Sequence, residues 1–245
     1  MKIVKQERKK IISVLGLPHA GTTIVCNIFN SMDNAFCLSE PHWTLLSNPS
    51  ALRFDKAKGL SFDGPEDVVE KIVAKLHSDS QLHFAGLKET YRPKEPRMRK
   101  YLDKILDESD FMVFVFREPK AHYNSFKLMA KNHNRNPMPI EYMIDSFDSI
   151  HEETNKYTNK IVVILEDLCA AGNVGAIDYI NKQAGALLSI KGEFRVKPTD
   201  YIYGNHKANR SKNIAPANVS TYLLTKEDIS LIDEKLTPKY NDLRG

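Results

Sequence analysis

The chain has 245 residues, with 35 Lys and Arg against 31 Asp and Glu, for a formal charge of +4 with histidine neutral. Apolar residues make up 42% and charged residues 27%, the proportions of a globular protein with a full core, which excludes intrinsic disorder over most of the length. No segment approaches the roughly 18 to 20 consecutive apolar residues of a membrane-spanning helix, and so mild a positive balance is not a nucleic-acid signature.

The basic opening MKIVKQERKK precedes an apolar run too short for a signal-peptide core, with no small-residue cleavage site after it. Three cysteines, Cys26, Cys37 and Cys169, form no Cys-x-x-Cys pair. They read as reduced, buried thiols, and the expectation is a cytoplasmic protein. There is no internal repeat and no linker, so residues 1–245 are expected to form a single domain.

Strand-like and amphipathic segments alternate along the chain. Residues 11–17 (IISVLGL) predict a short buried strand, 22–32 a helix and 35–40 a second strand. Residues 65–78 carry Val68, Val69, Ile72, Val73 and Leu76 at helical spacing, and 82–89 predict a third strand. A charged helix over 95–109 leads into FMVFVFRE (111–118), apolar on both faces as in the middle of a parallel sheet. A helix over 140–157, a strand over 160–168 and a helix over 174–188 follow. Residues 198–221 are polar, basic and aperiodic, and 226–236 predict one closing helix. This βα alternation predicts an α/β fold of three layers with a central, mostly parallel sheet flanked by helices, an arrangement similar to that of P-loop nucleoside triphosphatases (NTPase-like).

The first strand runs directly into Gly16-Leu-Pro-His-Ala-Gly-Thr-Thr23 and then a helix. Consecutive backbone N–H groups at such a turn, with the positive end of the helix dipole, make an anion cradle. The spacing is that of a P-loop, but Thr22 stands where a nucleotide triphosphatase carries its Lys. Glu166 and Asp167 are the nearest strand-end carboxylates for magnesium, and no His/Cys/Asp cluster has ligand spacing. The plain alternative is a tight turn with Thr22 as the helix N-cap. A second constellation is Phe116 to Ser125, where Arg117 ends a buried strand, Pro119 suits a first helical turn and Ser125 lies farther along that helix. At the C-terminal edge of a parallel sheet, Arg117 and Ser125 can clasp a second phosphate. The alternative is an Arg–Glu surface pair and an ordinary helical serine.

Together these motifs resemble the sulfotransferases that use 3'-phosphoadenosine 5'-phosphosulfate (PAPS). Pro18, His19, Ala20, Gly21, Thr22 and Thr23 match the family's 5'-phosphosulfate loop, and Arg117, Pro119 and Ser125 match its 3'-phosphate element. Residues 164–168 resemble the family's strand ending in Tyr-Glu-Asp-Leu, with Leu165 in place of Tyr. The late run with Gly204, Asn205 and Arg210 resembles its Gly-Asn…Arg loop. The resemblance implies PAPS as donor, the bisphosphate PAP as product, no metal, and a hydroxyl acceptor that is a carbohydrate or a small molecule.

One departure stands out. His19 occupies the position where the family carries Lys or Arg, and at a reference pKa of about 6.5 a histidine is only partly charged at neutral pH. Lys88, ending the third strand, is the substitute cation; its plain reading is a solvated strand-end lysine. Glu40, after the second strand, is the first choice as general base, with His42 second and Glu89 third. Glu40 could instead cap a turn before Pro41, and His42 could be a surface residue beside Trp43. Trp43 is either a wall for a ring-shaped acceptor or part of the core. The acceptor pocket is expected from residues 41–64 and 127–140. Two other classes stay open: an atypical P-loop kinase or nucleotidase, and a non-catalytic nucleotide-binding relative.

Overall fold

A computed structural model describes residues 9–32, 34–47, 60–185, 214, 217 and 219–244. Five parallel strands form one sheet: β1 (Lys10–Gly16), β2 (Ala35–Ser39), β3 (Phe84–Thr90), β4 (Phe111–Phe116) and β5 (Lys160–Ile164), in the order β2-β3-β1-β4-β5. The first strand lies in the middle, so the turn that leaves it has sheet on both sides. Gly16 pairs with Thr90 of β3 on one flank and Val115 of β4 on the other.

Side-chain alternation on β1 sorts the two layers. Ile12 and Val14, with Val113, Val115, Ile161 and Val163, pack under α1 (Thr22–Asn30) and α7 (Leu165–Ala184). On the opposite face Leu15, Met112, Phe114 and Phe116 meet α4 (Pro96–Glu108), α5 (Pro119–Asn132), α6 (Ile140–Lys156), α8 (Lys226–Lys235) and α9 (Thr237–Arg244). A third cluster joins Phe36, Leu38, Ala85 and Leu87 to α2 (Pro41–Ser47) and α3 (Val68–Ser78). All six residues of β4 are buried, as its unbroken apolar run requires of a strand covered on both faces. The three-layer, parallel α/β expectation is met.

Three element boundaries differ from expectation. Residues 165–168, read as strand, form the first turn of α7. β5 stops where its partner β4 stops, with Phe116 opposite Ile164, and the Ile164 N–H donates to the Tyr179 hydroxyl at 3.0 Å instead of continuing a ladder. Gly172, at φ 62°, interrupts α7, and its second part overlaps the expected helix. Helix α2 follows β2 after a single residue where no helix was expected, and the chain ends on two short helices rather than one. Pro41 and Pro238 sit at the first and second positions of α2 and α9, where proline's missing N–H costs nothing. Among the described residues no helix is long and apolar enough to cross a membrane.

Candidate active site

The turn expected to cradle an anion is the β1–α1 connection. Gly16 leaves β1 with its carbonyl held by the Tyr91 N–H at 2.8 Å, and the Ala20 N–H closes on the Leu17 carbonyl at 3.0 Å. His19 and Gly21 both take positive φ, 65° and 95°. The glycines are dictated by space. A Cβ on Gly16 would stand 2.6 Å from Thr22 Cγ2 and 2.8 Å from the Val115 carbonyl, and one on Gly21 would stand 2.5 Å from Leu165 Cδ1. The helix cap is therefore Gly21 and not Thr22, which is the first helical residue and is buried. No side chain caps α1, and its first turn holds no acidic residue. The positive end of the helix thus carries no built-in counter-charge.

Arg117 follows β4 and reaches the same turn. It is only 8% exposed, and its Nη1 donates to the His19 carbonyl at 3.2 Å. Burial draws the guanidinium pKa below its ordinary value, opposed by the nearby Glu166 carboxylate. The expected alternative, an Arg–Glu surface pair, does not hold. Glu118 instead caps α5, accepting from the Lys120 and Ala121 N–H groups at 3.1 and 2.6 Å. Ser125 is half-buried on α5.

His122, which the sequence did not single out, supports the cradle from beneath. It is buried, its Nε2–H donates to the Pro18 carbonyl at 2.6 Å, and it stacks on Phe126 with ring centroids 5.2 Å apart. Burial pushes its pKa down to about 3, so it stays neutral at physiological pH. The exposed His19 ring meets Phe126 edge-on, also at 5.2 Å. Phe126 therefore contacts both histidines, and the His19 ring is held against α5.

On the other flank, β3 carries Lys88, Glu89 and Thr90 to the edge of the sheet. Lys88 and Thr90 project to one face, and both donate to Glu40 Oε1, Lys88 at 2.8 Å and Thr90 in a short contact. The Lys88 side chain is 2% exposed and that of Glu40 12%, which replaces the solvated-lysine reading with an ion pair at the rim of the interior. Glu40 sits at φ 53°, and its N–H donates to the Lys88 carbonyl. Glu89 projects to the opposite face and is fully buried. It accepts the His42 N–H at 2.7 Å, anchoring the start of α2, and lies 3.1 Å from His42 Nδ1. His42 is a buried residue with its ring against Tyr101, not a surface one. Trp43 is half-buried and overlaid by two guanidiniums, so it is neither fully core nor an open wall.

The sheet therefore brings Pro18 to Thr23, Arg117, Glu40 and Lys88 to one C-terminal edge. His42 and Glu89 lie beneath it as a support for α2. Gly204, Asn205 and Arg210 lie outside the described residues. Glu166 and Asp167 are tied to α9, to the Tyr240 hydroxyl at 2.9 Å and to Arg244 at 2.6 Å. Among the described residues no group of three or more His, Cys, Asp or Glu is placed to hold a metal ion. The three cysteines are free and buried.

No protein-family model and no curated protein matches the chain. Among solved structures, the sulfotransferase domain of the Synechococcus PCC 7002 olefin synthase superposes with a TM-score of 0.58. It is 16% identical, and the match covers 95% of this chain and 97% of that one. The chain has the fold of that sulfotransferase domain. The crystal structure of APE1195 matches at a TM-score of 0.31 and 11% identity over 53% of this chain and 73% of that one, too slight a likeness to bear on the fold.

Proposed function

We propose that the protein is a PAPS-dependent sulfotransferase that transfers a sulfuryl group to a hydroxyl acceptor. The observation that carries this reading is the β1–α1 cradle, in which both glycines are sterically required, no side chain caps the helix, and a buried Arg117 reaches in from β4. The glycines let the turn pack closely against Val115 and Leu165, and the uncapped N–H groups at the start of α1 suit a tetrahedral, multiply charged oxyanion. The absent Lys at position 22 argues against triphosphate hydrolysis in the same fold.

In this reading the N–H groups of Gly21, Thr22 and Thr23 hold the 5'-phosphosulfate, and Arg117 with Ser125 holds the 3'-phosphate. PAPS supplies an activated sulfuryl group. The acceptor oxygen gains the bond to sulfur as the bond from sulfur to the phosphate oxygen breaks, and PAP departs. Glu40 takes the acceptor proton, with Lys88 and Thr90 fixing its carboxylate at the edge of the sheet next to the cradle. His19 in its protonated form offsets charge on the departing phosphate. Catalysis rests on positioning and electrostatics rather than on a covalent intermediate.

The test is transfer of radiolabelled sulfur from PAPS to a panel of carbohydrate and phenolic acceptors in the presence of a chelator. Label in product and release of PAP, both lost in Glu40→Gln, are expected. Phosphoryl transfer from Mg-ATP with no label from PAPS would overturn the reading.

A further inference from the structure

Two residues past Thr90, Arg92 lays its guanidinium over the indole of Trp43, with Cζ 4.4 Å from the ring centroid. Trp43 in turn lies three residues past Glu40. The arginine is half-buried, and its Nε is shut off from solvent without a hydrogen-bond acceptor. No carboxylate is within ion-pair distance of it among the described residues. The other arginines around this edge are committed differently: Arg97 to Glu95, Arg99 to Asp103 and Arg117 to the His19 carbonyl. Arg97 also lies over Trp43, 5.8 Å from the centroid, and Glu95 is the acidic residue of the group. Two guanidiniums and one carboxylate leave this group a net charge of +1.

A guanidinium held partly out of water normally finds an anion. Here the indole holds the Arg92 guanidinium through a cation–π contact but leaves its buried Nε–H without an acceptor. That leaves the two Nη groups of a guanidinium held by the indole, two residues past Thr90, which donates to the proposed general base. We infer that Arg92, held by Trp43, is an oxyanion subsite for the acceptor, so that the molecule presenting its hydroxyl to Glu40 also carries a carboxylate or a phosphate. The anion site stands on the Arg92–Trp43 geometry; its assignment to an acceptor rests on the sulfotransferase reading. Arginine suits this task where lysine does not, because a planar fork meets two oxygens of one anion at once.

Trp43 is the only tryptophan in the chain, so its emission reports on this subsite alone. The experiment titrates D-glucuronate against D-glucose, and phenyl phosphate against phenol, following Trp43 fluorescence with PAP present to fill the cradle and again without it. A saturable change with one or both anions, absent with the neutral partners, is expected; which anion acts separates carboxylate from phosphate. Arg92→Gln should weaken that response at least about tenfold, the loss of one charge-assisted contact. Arg92→Lys, which keeps the charge on a flexible stem, should restore it only in part, and circular dichroism checks that each variant is folded. A flat titration with both anions, or a response unchanged in folded Arg92→Gln, would overturn the subsite. Calorimetry with PAP on the same samples separates the two readings. Binding of PAP with no anion response leaves the donor site standing and removes the subsite. An Arg92-dependent anion response without PAP binding keeps the anion site but removes its assignment to a sulfuryl acceptor.

Discussion

Replacing Glu40 by Gln probes the ion pair at the sheet edge. Gln keeps an oxygen that can accept from Lys88 and Thr90 but removes the charge opposite an ammonium whose side chain is 2% exposed. Breaking a buried pair by removing one member costs about 3–5 kcal/mol, because the remaining charge is left uncompensated. Glu40 is 12% exposed and Gln retains the hydrogen bonds, so the cost falls below that range, at about 2–3 kcal/mol. For a domain of this size that lowers Tm by roughly 4–12 °C. Lys88→Met should cost less, because Glu40 keeps Thr90 and lies nearer to water. The double variant Glu40→Gln/Lys88→Met should be more stable than the sum of the single changes predicts, by at least about 1.5 kcal/mol. The assay is urea unfolding of wild type, both single variants and the double variant at pH 7, with m compared throughout. Glu40→Gln within about 0.5 kcal/mol of wild type, or strictly additive effects, would refute the reasoning.

Three further outcomes follow from the cradle. His122 has a folded pKa of about 3 against an unfolded value near 6.5, so between those values the unfolded chain binds more protons and stability falls on acidification. Its contribution approaches about 1.4 kcal/mol per pH unit within that window; His122→Phe should flatten the urea-derived slope there, and an unchanged slope would contradict the assignment. Gly21→Ala must place a methyl 2.5 Å from Leu165 Cδ1 at φ 95°, and calorimetry should show PAP binding lost at least tenfold, about 1.4 kcal/mol, while circular dichroism shows the fold retained. Arg117→Ala should weaken PAP about 10- to 100-fold more than adenosine 5'-phosphate in calorimetry, because only the former has a 3'-phosphate while loss of the bond to the His19 carbonyl bears on both; equal losses for both would move Arg117 away from that group.

Much of the sheet and cradle was legible in the sequence because the signals are local. A β-branched run, a G-x-x-x-x-G turn and a helical period lie within 25 residues of one another, and Arg117-x-Pro119 marks a strand end and a helix start in three. What the sequence hid depends on distant partners. His122 meets the Pro18 carbonyl across 104 positions, and nothing near either residue announces it. Lys88 looks like a solvated strand end until Glu40, 48 residues away, is brought against it by the Ser39–Lys88 register. His42 looks exposed beside Trp43 until Glu89 takes its N–H and ring. The segment 165–168 looked like strand because its apolar residues suit either element, and only the end of the β4 partner decides where β5 stops.

The central claim is that the edge of the sheet binds a nucleotide carrying a 3'-phosphate and a 5'-phosphosulfate. A thermal-shift titration with PAP, adenosine 5'-phosphate and Mg-ATP, the first two in chelator, tests it most directly. At about 100 times its Kd a ligand adds about 2.7 kcal/mol, which for a chain of this length raises Tm by roughly 5–10 °C. That shift is expected with PAP without magnesium, and a much smaller one with adenosine 5'-phosphate. A shift with Mg-ATP alone would contradict it.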